Sequence, residues 1–218
     1  MKRSLLVVAA GMLAVALFVL GAFFYAGKKD ERAVNLAQIN RDALVRPHSP
    51  IYGNPNAKVT IVEFLDPACE TCRAFYPFVK GMINASFGQV NLAVRYAPLH
   101  HGSDEAVKIL EAARMQNLYW PVIEAMFAAQ PIWASHEAPR PALIWENIKG
   151  TGLDIAKAKA DLDDPRIAKI LLQDVADVET LRLTKTPGFF VNGKPLVDFG
   201  SSQLKALVDQ EVRAAYGK

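Results

Sequence analysis

The residues of this sequence best equipped for chemistry are Cys69 and Cys72. They are the only cysteines in 218 residues and stand in Asp66-Pro67-Ala68-Cys69-Glu70-Thr71-Cys72. Three uses compete for a Cys-x-x-Cys. A purely structural disulfide would close the shortest useful loop, where the entropic gain is smallest. A zinc site needs further ligands. There is no second Cys-x-x-Cys, and the histidines are His48, His100, His101 and His136. Copper stays open too, because soft thiolates select Cu(I) and His100 or His101 could add a donor. A redox pair needs the first sulfur at a helix N-terminus, where the dipole and free N–H groups favour a thiolate. The second sulfur, one turn on, then attacks a mixed disulfide and releases the product. On this leading reading Cys69 is the exposed nucleophile and Cys72 the shielded, resolving sulfur.

The residues between and before the pair bear on its potential. Glu70 puts a carboxylate near the Cys69 thiolate and works against the dipole, while Thr71 offers a hydroxyl but no charge. A weaker oxidant is therefore expected than a histidine at either position would give. Glu63 lies six residues before Cys69, in the run Lys58 to Leu65. In a strand it would share a face with Val59, Ile61 and Leu65 and be the one polar member. A carboxyl buried there has a raised pKa and can pass protons to and from a buried thiol. The alternative is a strand-end acid that reaches solvent or a basic partner.

These residues need elements to hold them. Lys58 to Leu65 reads as a buried central strand, β-branched, apolar and bounded by turn residues. A helix should follow from Cys69, with Phe75, Phe78, Val79, Met82 and Ile83 on one stripe and a kink at Pro77. Val90 to Tyr96 is a second strand, so strand, helix and strand imply a parallel pair. Helical patterns cover Asp104 to Gln130 and about 140–149, 153–162 and 164–183. That stretch is too long for a simple connection and is read as a helical insertion packed on the sheet. Gly188 to Val191 and Pro195 to Phe199 are short strands around an Asn192-Gly193 turn, and Ser201 to Tyr216 closes the chain as an amphipathic helix.

The chain is 51% hydrophobic with a net charge of +3, too apolar and too weakly charged for a disordered protein. No Lys/Arg run with interleaved aromatics is present, so no nucleic-acid partner is expected. Residues 4–27 carry no charge and as a helix would span about 35 Å at ~1.5 Å per residue, enough to cross a bilayer. Bulky residues around Phe23-Phe24-Tyr25 spoil most small-x-small cleavage registers, which favours an uncleaved signal-anchor over a removed signal peptide. Lys2 and Arg3 favour a cytoplasmic N-terminus, while Lys28, Lys29 and Arg32 pull the other way. The expected organisation is a membrane anchor over 1–27, a spacer over 28–57, and a domain over 58–218 whose helical insertion covers about 100–183.

Three segments resemble the DsbA-like branch of the thioredoxin superfamily. They are Ser49 to Phe64 leading into Cys69-x-x-Cys72, Val94-Arg95-Tyr96-Ala97-Pro98-Leu99-His100-His101-Gly102-Ser103, and Thr184-Lys185-Thr186-Pro187-Gly188-Phe189-Phe190-Val191-Asn192-Gly193-Lys194-Pro195. The resemblance runs from about Ser49 to Val212. The resemblance implies an α/β thioredoxin fold with an inserted all-helical subdomain, here preceded by an N-terminal transmembrane helix. It implies a cis bond at Thr186-Pro187 beside the cysteines, leaving the Thr186 backbone free to pair with an extended substrate. It also implies that Glu63 is the family's buried acid. The usual aromatic-Cys-Pro-x-Cys is replaced by Ala68-Cys69-Glu70-Thr71-Cys72, which leaves the direction of electron flow open.

The expected function is a membrane-anchored, extracytoplasmic protein thiol:disulfide oxidoreductase acting through Cys-Glu-Thr-Cys. Disulfide reductase or isomerase activity is the alternative, and a copper- or zinc-binding thioredoxin-like protein a further one. The expected catalytic residues are Cys69, Cys72, Glu63, Thr186 and Pro187, with Glu70 and Thr71 tuning the potential. No cofactor or metal is expected beyond the redox-active Cys69–Cys72 disulfide. The expected partners are unfolded or thiol-bearing exported proteins, an integral membrane thiol oxidase or reductant, and the membrane itself through residues 4–27. A single redox pair with no spare thiol suits an oxidising compartment, so the chain is expected in the inner membrane as a single-pass monomer with its catalytic domain in the periplasm.

Overall fold

The computed structural model describes residues 2–217, and the side chains of residues 2–10, Ala26 and Lys29 are not among those described. Met1, at the start of the expected anchor, and Lys218, at the end of the expected domain, lie outside the described residues. Helix α1 (Lys2–Ile39) is continuous from the apolar segment into the stretch read as a spacer. The sheet is built from β1 (Ile51–Gly53), β2 (Val59–Leu65), β3 (Val90–Tyr96), β4 (Gly188–Val191) and β5 (Lys194–Pro195), in the order β1-β3-β2-β4-β5. β2 and β3 are parallel and every other pair is antiparallel. Helix α2 (Glu70–Ala85) connects the parallel pair and runs through Pro77. Between β3 and β4 lie α3 (Ser103–Arg114), α4 (Tyr119–Ala128), α5 (Gln130–Trp133), α6 (Ile144–Asn147), α7 (Ile155–Asp161) and α8 (Pro165–Thr180). Helix α9 (Ser201–Tyr216) ends the fold.

Two details differ from the sequence reading. Ile51–Gly53, inside the expected spacer and ahead of the expected domain start at 58, is an edge strand paired with β3. Three residues are too few to show alternation, and Gly53 ends the strand at φ 92. A Cβ there would meet Ile83 Cγ2 at 2.8 Å, so the packing of α2 on the edge requires glycine. The second hairpin strand covers only Lys194–Pro195, not Pro195 to Phe199. Asn192 and Gly193 both take positive φ, as a two-residue hairpin turn demands.

Alternation divides the core into two layers. Val59, Ile61, Leu65, Val90, Leu92, Val94 and Tyr96 pack with α2, α9 and the insertion. Val62, Phe64, Ala93 and Ala97 pack on the other side with Ala37, Ala43, Leu44 and Val178. The second layer holds a buried ion network. Arg95 donates to Asp174 Oδ1 and Asp177 Oδ2, each at 2.6 Å, and to the carbonyls of Ala43 and Leu44. Arg46 pairs with Asp177 at 2.7 Å and His48 with Asp174 at 2.7 Å. The segment after α1 is thereby fastened to α8 and β3.

Candidate active site

β2 ends at Leu65, and the next four residues form the turn that presents the cysteine pair. The Cys69 N–H donates to the Asp66 carbonyl at 3.1 Å, closing the turn, and Cys69 is the N-cap of α2. The Asp66 N–H reaches Cys72 Sγ at 3.5 Å. Both cysteines are free thiols. Cys72 is fully buried, as expected for a shielded sulfur. Cys69 is only 5% exposed, so its expected exposure is corrected to a narrow opening. The cover comes in part from the loop before β4, where Thr186-Pro187 is cis and the Thr186 carbonyl accepts from Cys69 Sγ at 3.4 Å.

This geometry separates the two sulfurs chemically. The Cys69 pKa is lowered to about 5, first by a hydrogen bond from Cys72, against the opposing effect of burial. Proximity to the Thr186 side chain and to the backbone N–H groups of Cys72 and Thr71 adds to the lowering. Burial, followed by the hydrogen bond to Cys69 and the Glu63 charge, pushes Cys72 well above the usual thiol range. At neutral pH the pair is thus a thiolate at Cys69 and a thiol at Cys72.

Glu63 lies in mid-β2 on the face of Ile61 and Leu65 and is fully buried. Neither carboxyl oxygen has a partner among the described residues. Burial, and then the Cys69 charge, raises its pKa to about 8, so the carboxyl is protonated at neutral pH. Glu70 has a partner that the sequence reading did not name. Its carboxylate pairs with His136 Nε2 at 2.9 Å, and its pKa is lowered first by its own backbone N–H.

Two anchors of the site are absent from the sequence reading. The Asp66 carboxylate is buried and accepts from the N–H groups of Ala68, Leu99 and His100 at 2.9, 2.8 and 3.0 Å, from His100 Nδ1 at 2.6 Å, and from the Ser103 hydroxyl. It ties the cysteine turn to the loop between β3 and α3. Gln130, also buried, donates its amide to the carbonyls of Pro67 and Cys69 at 2.8 and 3.0 Å, tying the same turn to α5. Asp in an Asp-Pro turn marks only a local bend. The partners of Asp66 and Gln130 lie far along the chain, so local sequence carries no sign of them.

Beside Pro187 runs an open apolar groove lined by Leu183, Phe189, Leu196, Val197 and Phe199, with Ala33 of α1 at its edge. Phe199 is 40% exposed and stacks on Phe75 at 4.8 Å between ring centroids.

The family model described as "Thioredoxin" matches residues 46–210. A thioredoxin-like oxidoreductase from Silicibacter pomeroyi is 31% identical with a TM-score of 0.69, the alignment covering 81% of this chain and 99% of that one. The thiol-disulfide exchange protein alpha-DsbA2 of Wolbachia pipientis shares the fold at 23% identity and a TM-score of 0.69, over 84% of this chain and 97% of that one. A Na(+)/H(+) antiporter, NhaA, of Herminiimonas arsenicoxydans is 32% identical over 147 residues, which is 67% of this chain. This chain spans 22% of that relative's length. A family match over most of the chain, a shared architecture and a Cys-x-x-Cys at the head of α2 agree: the chain belongs to the thioredoxin family.

Proposed function

We propose that this chain is a protein thiol:disulfide oxidoreductase that works mainly as an oxidant. The observation that carries the reading is the placement of Cys69 as the N-cap of α2, against the carbonyl of the cis Thr186-Pro187 loop and one turn before a fully buried Cys72, a setting that lowers the Cys69 pKa. A stabilised thiolate favours the reduced form of the couple and so makes its disulfide oxidising. A substrate thiolate attacks Cys69 Sγ of the Cys69–Cys72 disulfide and forms a mixed disulfide. The electron pair of the broken S–S bond goes to Cys72, which takes a proton. Protonated Glu63 is the buried donor suited to that step. A second substrate thiolate attacks the substrate sulfur of the mixed disulfide, and Cys69 departs as a stable thiolate. No cofactor is needed beyond the cysteine couple.

The Thr186-Pro187 loop and the adjoining groove fit an extended, partly apolar segment, so the substrates are unfolded, thiol-bearing exported proteins. The apolar half of α1 serves as a single-pass signal-anchor, with the catalytic domain in the periplasm and an integral membrane thiol oxidase as electron acceptor. Tethering raises the effective concentration of that partner. The protein acts as a monomer. Equilibration of purified protein with glutathione buffers tests the direction of the couple. The expected potential lies between about −220 and −120 mV, and a value at or below about −270 mV would reverse the reading to a reductase.

A further inference from the structure

His100 takes no part in the redox pair, yet it is fixed on its rim. The Asp66 carboxylate that holds His100 Nδ1 at 2.6 Å belongs to the residue whose own backbone touches both sulfur-bearing residues, through the Cys69 N–H and Cys72 Sγ. A carboxylate only accepts hydrogen bonds, so Nδ1 carries the hydrogen, and Nε2 of the neutral ring is left as a bare base. The ring is 31% exposed and meets the His136 ring edge-on at 5.4 Å. The groups that face it are Asp66 of the cysteine turn, Cys69 and Glu70 at the head of α2, His136 beyond α5, and His101 and Asp104 of its own cleft. Burial lowers its pKa, but in the reduced pair the Asp66 hydrogen bond and the charges of Asp66, Cys69 and Glu70 outweigh that and raise it; in the disulfide the Cys69 contribution is absent.

We propose that His100 is the general base that takes the proton from the incoming substrate thiol. The inference rests on the redox reading above. A free cysteine has a pKa of about 8.5 and is mostly protonated at neutral pH, whereas only its thiolate attacks a disulfide. At the rim the substrate S–H proton moves to His100 Nε2. The substrate sulfur bonds to Cys69 Sγ, the Cys69–Cys72 bond breaks, and its electron pair leaves on Cys72. The Cys69–Cys72 disulfide is the oxidant and gains both electrons over the two exchange steps. His100 returns its proton to solvent.

Oxidation of a cysteine-containing peptide by the disulfide form, followed against pH, tests this. In wild-type protein the rate should stay nearly level between the His100 pKa and about pH 8.5, because base and protonated thiol are both present there. In His100→Gln the rate should follow the substrate thiolate and fall about tenfold per pH unit below 8.5, so that the gap to wild type widens steadily down to the His100 pKa. Added imidazole should restore the level profile to His100→Ala. His101→Gln, a neighbouring exposed histidine, should keep the wild-type profile. A His100→Gln profile that superposes on wild type, or is lowered equally at every pH, overturns the proposal while the redox reading stands. Wild-type protein that oxidises no peptide at any pH overturns both.

Discussion

At Cys69 the decisive fact is where charge can rest. The Cys69 sulfur, at the head of α2 beside Cys72 and the Thr186 backbone, has its pKa lowered, and the sulfur one turn on has burial against it. Glu63 completes the contrast as a carboxyl kept neutral by burial. Between about pH 5 and 8 the folded protein keeps the Glu63 proton and the unfolded chain releases it, so this residue makes stability fall as pH rises through that window. Glu63→Gln should remove the dependence. The variant should gain on wild type from pH 5 to pH 8, by up to about 4 kcal/mol in urea unfolding, and a constant difference across the window would refute the assignment. Glu63 was legible in the sequence as the one polar residue on an apolar strand face. The cysteine pair was legible from its spacing, and Thr186-Pro187 from resemblance. Asp66 and Gln130 were not, because a residue shows its type locally but its partners only through the fold.

Elements place these groups and fasten them to one another. β2 and β3 were readable from β-branched runs, and α9 from its apolar stripe. β1 was too short, and β5 shorter than its apolar stretch suggested. Arg95 sat unremarked in an apolar strand because its partners, Asp174 and Asp177, lie 79 and 82 residues on. The network they form is buried and built of charge, so its members depend on one another. Asp174→Ala removes the acceptor shared by Arg95, His48 and the Tyr96 N–H while Asp177 still holds Arg95. It should cost about 3 kcal/mol of stability. A loss under about 1 kcal/mol would show that the network contributes little beyond what apolar packing supplies.

At the scale of the whole molecule, α1 joins an apolar segment to a folded domain without an intervening flexible linker. Phe18, Phe23 and Phe24 of this helix are 77%, 74% and 73% exposed, with little cover among the described residues. On the proposed anchoring a bilayer covers that surface, and the Arg46 and His48 pairs fix the chain that leaves it. On that proposal the site works close to the membrane, because the groove beside Pro187 is bordered by α1 itself. Trapping of the exchange intermediate tests the central claim most directly. Full-length Cys72→Ala expressed in the native cell envelope cannot resolve a mixed disulfide. It should accumulate adducts through Cys69 that pellet with the membrane and dissolve on reduction, and Cys69→Ala should form none. If Cys72→Ala yields no reducible adducts, or Cys69→Ala yields the same ones, thiol:disulfide exchange at Cys69 is not what this protein does.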